Sequence, residues 1–207
     1  MSQTLGYAAL DPNSPLAPYS FSRREVGPND VKIDILYCGV CHSDLHTARN
    51  EWNNTLYPSV PGHEIVGRVT AVGSAVSAFK VGDVAGVGCL VDSCRECEWC
   101  LKGEENNCPK AVGTYNGKDR FDGRPTDGGY STEILVSEAF ALHIPENLDP
   151  AATTPLLCIV AATAVHAVWP AALAPERIGL TGLVGAMLAV AGSAAVSLLG
   201  RPSNAPA

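Results

Sequence analysis

Positive charge is scarce in this 207-residue chain and is nowhere concentrated. Fourteen lysines and arginines face 21 aspartates and glutamates, leaving a net charge of −7. With no basic run, the chain lacks the phosphate-neutralising surface that a nucleic-acid partner requires. The amino terminus, "MSQTLGYAALDPNSPL", lacks a basic stretch followed by an apolar one, so no secretory signal is expected. A reducing, cytoplasmic setting is the expectation that follows, and it disfavours disulfides as the use for eight cysteines. Charge of either sign almost vanishes after Pro150, where only Glu176, Arg177 and Arg201 remain. That shift in composition is the one clear boundary in the sequence.

Before the boundary the chain reads as mainly β. In "VKIDILYC", 31–38, Val31, Ile33, Ile35 and Tyr37 alternate with Lys32 and Asp34, the period of a half-buried strand. "HEIVGRVTAVG", "GDVAGVG", "YSTEILVS" and "FALHIP" add further short strands, separated by Pro61-Gly62, by Gly82-Asp83 and by "RFDGRPTDGG". Only "HSDLHTARN" and the surroundings of Trp99 read as helical. Many short strands with Gly/Pro turns predict a barrel or sandwich with small helical insertions.

Four cysteines stand in "DSCRECEWCLKGEENNCP", at Cys94, Cys97, Cys100 and Cys108. A disulfide framework needs an oxidising compartment. An iron–sulfur cluster of the bacterial type wants three residues before its fourth cysteine, and here seven intervene. A tetrahedral zinc ion wants four thiolates from a short loop that can wrap it, and structural zinc is the reading the spacing favours. Such a site is closed, so it holds a fold and performs no chemistry.

A second constellation is spread more widely. "CGVCHSDLH", "PGHEIVG" and "PLLC" offer Cys41, His63 and Cys158, two thiolates and an imidazole that would leave one position open on a catalytic zinc. Taken singly, Cys38-x₂-Cys41 also fits a redox pair or another zinc clip, and Cys158 fits a buried thiol in an apolar pocket.

Together, "CGVCHSDLHTARNEWNNTLYPSVPGHEIVGRVTAVGSAVSAFKVGDVAGVG", the four-cysteine loop, "GTYNGKDRFDGRPTDGGYSTEILV" and "PAATTPLLC" resemble the zinc-dependent medium-chain alcohol dehydrogenases, in their cinnamyl-alcohol-dehydrogenase-like branch. The resemblance runs from about residue 7 to residue 158. It implies a GroES-like barrel domain over 1–158, which oxidises primary alcohols or reduces aldehydes with NADP or NAD and works as a homodimer in its complete relatives. It implies a catalytic zinc on Cys41, His63 and Cys158, with Glu64 as an alternating ligand, and a structural zinc on Cys94, Cys97, Cys100 and Cys108. Cys38 and Cys89 are left out of both sets. Ser43 would accept the alcohol proton and pass it through the cofactor ribose to His46, three residues on and on the same helical face. Asp44 would orient His63, His42 would lie near the cofactor pyrophosphate, and Trp52 and Leu90 would line the substrate pocket. Helix capping by Ser43 and Asp44 and a core position for Trp52 are the plain alternatives.

The pattern breaks after Cys158. Family members continue there into a nucleotide-binding domain, whereas residues 159–207 form a divergent apolar tail. Gly179, Gly182 and Gly185 do not make the G-x-G-x-x-G turn, and no acidic residue follows for a ribose. A Rossmann domain is therefore expected to be absent, and turnover from a chain so truncated or fused is expected to be low. Residues 178–200 are uncharged and long enough to cross a bilayer. Gly185, Ala189, Ser193 and Ser197 give them a small-residue stripe. The tail bears a slight resemblance to the terminal helix of drug/metabolite exporters. A rival expectation is thus a non-catalytic zinc module tethered to a membrane through 178–200.

Overall fold

The computed structural model describes residues 3–158. The expected apolar tail, its membrane segment at 178–200 and its exporter-like helix all lie outside the described residues. Among the described residues, no helix is long and apolar enough to cross a membrane.

A five-stranded antiparallel sheet forms the centre. Its strands are β3 (Asp30–Cys38), β4 (Ile65–Val72), β5 (Val84–Val87), β8 (Glu133–Ser137) and β9 (Ala141–His143), in the order β8-β3-β4-β5-β9. One hairpin precedes it, β1 (Gln3–Ala8) with β2 (Ala17–Ser22), and a small pair, β6 (Leu90–Asp92) with β7 (Val112–Gly113), flanks it. Among the described residues the other elements are three short helices, α1 (His42–Ala48), α2 (Glu98–Leu101) and α3 (Pro150–Thr153), and two 3₁₀ turns, Glu105–Asn107 and Glu138–Phe140.

β-Branched residues build the core because they stiffen a pleated strand and fill the space above it. Val31, Ile33, Ile65, Val69, Val87, Ile134 and Val136 are all essentially inaccessible to solvent and form one cluster with Phe79. Ile33 sits opposite Val69 on one neighbour and Ile134 on the other, which puts it at the centre of the sheet.

The alternation expected for β3 holds from Val31 to Ile35 and then fails. Tyr37 is 47% exposed, while Cys38 turns inward against the core. The pairing with β4 slips between Ile35 and Tyr37. Such a bulge inserts a residue and reverses the phase of every side chain beyond it. The end of β3 is thereby aimed toward the turn that begins α1.

One turn needs glycine. Gly62 has φ +101°, a region that L side chains avoid, and a Cβ there would stand 2.8 Å from both the Cys38 sulfur and the Tyr130 nitrogen. Backbone bonds from Gly128 N to Val60 O (2.7 Å), Gly129 N to Gly62 O (2.8 Å) and Tyr130 N to Pro61 O (2.9 Å) lay residues 128–130 along residues 60–62. The segment carrying His63 is thus gripped before β4 starts.

Candidate metal centres and catalytic residues

Two groups of side chains converge as metal sites would. In the first, one ligand atom from each of Cys41, His63, Glu64 and Cys158 lies within 4.8 Å of every other. The Cys41 and Cys158 sulfurs are 3.9 Å apart. In the second, Cys94, Cys97, Cys100 and Cys108 meet the same limit. Their sulfurs are separated by 3.8 Å (94 to 100), 3.5 Å (97 to 100) and 3.5 Å (94 to 108). A zinc–sulfur bond of about 2.3 Å in a tetrahedron gives a sulfur–sulfur edge of about 3.8 Å. Both donor sets fit zinc by chemistry and by spacing.

Cys41 is the residue capping α1 at its N-terminus. The helix begins there because Asp44, on its first turn, reaches back to accept the Cys41 N–H at 2.9 Å. The same carboxylate accepts the Gly62 N–H at 3.0 Å and meets His63 Nδ1 at 3.1 Å. Asp44 thus closes the capping box at the start of α1 and engages one ring nitrogen of His63. Burial alone would raise the Asp44 carboxyl; the bonds from His63 and from the Cys41 N–H outweigh it and lower it below the usual carboxylate range. His63 behaves conversely. Its burial lowers the imidazole, and the Asp44 bond overcomes that and raises it.

Glu64 is 5% exposed, and its burial raises its carboxyl above the ordinary value. It packs against Gly39, whose N–H donates to the Glu64 carbonyl at 2.8 Å. A Cβ at residue 39 would overlap the Glu64 carboxylate.

Burial pushes the Cys38 thiol up to about 12, a neutral, inward-facing group outside the cluster. Burial raises Cys89 too. Neither belongs to the two converging sets.

Ser43, His46 and His42 share α1. The Ser43 side chain lies near the Cys41 thiol and the Tyr115 hydroxyl. His42 and His46, one turn apart, stack at 4.5 Å with their planes 5° from parallel, and Trp52 leans on His46 at 5.1 Å. Trp52 is 53% exposed, so it is not a core aromatic. His46 Nδ1 is hydrogen-bonded to Glu51 Oε2. Leu90 opens β6, half-buried, directly after Cys89.

The four-cysteine loop is held by its backbone. Cys97 N–H donates to the Cys94 sulfur at 3.4 Å and Lys110 N–H to the Cys108 sulfur at 3.3 Å. Backbone N–H bonds, chiefly from Glu96, lower the Cys94 thiol below its ordinary value. The chain reverses at Arg95, which adopts φ 61°. Arg120 donates to the Ser93 carbonyl and ties the loop to the 118–125 segment.

Sequence reasoning missed several neighbours. Tyr130 donates its hydroxyl to Asp44 Oδ2 at 2.9 Å from 86 residues away. The Tyr115 ring stands 5.6 Å from that of His63. Arg23 is bonded to the carbonyls of residues 127, 128 and 133. No spacing signal marks any of them. Glu51 lies five residues beyond His46, and its proximity in sequence is the one signal that was available.

Residues 27–146 match the family described as the alcohol dehydrogenase GroES-like domain. The chain is 51% identical over 156 residues to a probable cinnamyl alcohol dehydrogenase 6 of Arabidopsis thaliana, covering 75% of this chain and 43% of that protein. It is 54% identical, over the same shares, to a probable mannitol dehydrogenase of Mesembryanthemum crystallinum. Among solved structures, a cinnamyl alcohol dehydrogenase from Sorghum bicolor superposes with a TM-score of 0.76 at 48% identity, covering 81% of this chain and 49% of that one. The Helicobacter pylori cinnamyl alcohol dehydrogenase complexed with NADP(H) gives 0.75 at 44% identity, over 79% and 48%. The chain thus spans less than half the length of these relatives.

Proposed function

The chain belongs to the alcohol dehydrogenase family through its GroES-like domain, and from that premise we propose that it supplies the zinc-binding catalytic part of an enzyme interconverting primary alcohols and aldehydes. The observation that carries this reading is the convergence of Cys41, His63 and Cys158, with Glu64 beside them, separate from a closed four-cysteine set. The proposal includes two zinc ions per chain, NADP as the nucleotide in keeping with the H. pylori relative, and a homodimer in the cytoplasm.

In this reading Cys41, His63 and Cys158 hold the catalytic ion, with Glu64 as an alternating ligand, and Cys94, Cys97, Cys100 and Cys108 hold the structural one. Zinc, when bound between two thiolates and an imidazole, supplies a mild Lewis acid for an alcohol or aldehyde oxygen. The nicotinamide nucleotide, when bound, supplies the hydride donor or acceptor. The chain's own residues handle the proton and the geometry. Ser43 is both donor and acceptor, so its Oγ can take a proton from an alcohol and pass it on. His46 receives a proton at Nε2, because Nδ1 is engaged by Glu51. Partial exposure of both side chains, 33% and 43%, gives that proton a way out to water. Asp44 keeps the His63 ring in one orientation, His42 stands toward the nucleotide phosphates, and Trp52 and Leu90 bound the substrate.

The test is the metal content of the purified chain beside a Cys158→Ser variant. Two zinc ions falling to one are expected. With cobalt at the Cys41 site, the visible spectrum is expected to shift when a primary alcohol or aldehyde is added. A wild-type chain holding a single ion, or a cobalt spectrum indifferent to both compounds, overturns the reading.

A further inference from the structure

The Asp44 carboxylate is 4% exposed and accepts four hydrogen bonds, two on each oxygen. Oδ1 takes Gly62 N–H at 3.0 Å and His63 Nδ1 at 3.1 Å; Oδ2 takes Cys41 N–H at 2.9 Å and Tyr130 Oη–H at 2.9 Å. Three of these donors belong to the ligand residues or to the glycine before His63. The fourth comes from a distant segment and is the only side-chain hydroxyl in the set.

That segment is itself tightly held. Tyr130 donates its N–H to Pro61 O at 2.9 Å and accepts from Tyr7 N–H at 2.8 Å. Arg23 spans the stretch on both sides of it. Its Nε donates to Glu133 O at 2.8 Å, Nη1 and Nη2 each to Asp127 O at 3.1 Å, and Nη2 also to Ser131 Oγ at 3.1 Å. A planar fork with five donors can fix a bend of backbone in this way, which a lysine cannot.

We propose that Tyr130 is a positioning residue for the Cys41–His63–Cys158 centre: its hydroxyl fixes the plane of the Asp44 carboxylate, and Arg23 fixes the segment that presents it. A carboxylate rotates about its last bond unless both oxygens are engaged. Cys41 N–H alone anchors Oδ2 from the helix side. The Tyr130 hydroxyl anchors the same oxygen from the sheet side, so Oδ1 stays aimed at His63 Nδ1 and Nε2 stays aimed at the two thiols. The burial of Tyr130 and its contact with Asp44 keep its hydroxyl protonated as a donor. This inference rests on the reading of that centre as a metal site.

Tyr130→Phe removes the hydroxyl and keeps the ring, and the four-cysteine site of the same full chain serves as an internal standard. Zinc affinity at each site is measured by competition with a chelator. The Cys41 site is expected to weaken about tenfold or more, and the four-cysteine site to stay unchanged. With Asp44→Asn in the background, Tyr130→Phe is expected to add nothing, because its effect passes through Asp44. Unchanged affinity in Tyr130→Phe, losses that add in the double variant, or equal weakening of both sites would each overturn the proposal. A wild-type chain that binds no ion at Cys41 would fail differently, by removing the metal reading beneath it.

Discussion

Gly39 shows how little room the Glu64 carboxylate has. Because any Cβ at residue 39 overlaps that carboxylate, Gly39→Ala must displace either Glu64 or the end of β3. Overpacking of this kind costs about 1–3 kcal/mol, so a thermal melt should show Gly39→Ala destabilised by that amount. An unchanged melting temperature would mean the neighbour yields freely. A second residue ties stability to pH. Burial raises the Asp127 carboxyl from 3.8 to about 6, against the pull of Arg23. The folded state therefore binds the proton more tightly than the unfolded chain, and this contribution to stability is complete below pH 3.8 and lost as pH rises through about 6. Asp127→Asn should be the more stable protein at pH 7.5, with the gap closing below about pH 4. Melts across that range check it, and a gap that widens in acid would contradict it.

At the scale of elements, the loop between β6 and β7 is the one that the proposed structural zinc would hold most directly. Its own secondary structure is the four-residue α2 and a three-residue 3₁₀ turn, neither with a fully buried side chain. Stripping metal from the four cysteines is expected to speed amide exchange across residues 94–111 while β3, β4 and β5 keep their protection. Equal loss everywhere would make the loop an integral part of the core. The same contrast explains what could be read in advance. Strand β3 declared itself through apolar alternation, β4 and β5 through β-branched residues bounded by glycines, β8 and β9 as short apolar stretches between turns, and the four-cysteine cluster through close spacing. Hairpin β1–β2 did not: Leu5, Tyr7 and Leu16 are 57%, 55% and 41% exposed, so no face of it carries a clean apolar alternation. The phase reversal after Ile35 was equally hidden, since a bulge depends on the partner strand. The grouping of Cys41, His63 and Cys158 could be suggested from residue type and was singled out by the resemblance, because its members are 22 and 95 residues apart along the chain. Tyr130 was beyond reach, its role arising from how residues 128–130 lie on 60–62.

At the scale of the whole molecule, among the described residues one buried hydrophobic cluster joins the central sheet to β6 and β7, the strands that flank the four-cysteine loop. Ile33 is wholly buried at its centre, so Ile33→Ala should cost about 2–5 kcal/mol in global unfolding. Denaturant titration measures this. Because the sheet carries the segments that end in Cys41 and begin after His63, both metal affinities should fall together in that variant, unlike in Tyr130→Phe. A result in which only one site weakened would show the two centres resting on separate foundations.

The four-bonded carboxylate of Asp44 also constrains ancestry. Helix α1 and the turn before β4 meet the segment around Tyr130 at that one group, so a change at any of positions 44, 62, 63 or 130 alters what the other three must provide. Lineages descended from this chain should inherit those four positions as a block. The exposed surroundings of Trp52 can vary meanwhile without touching them.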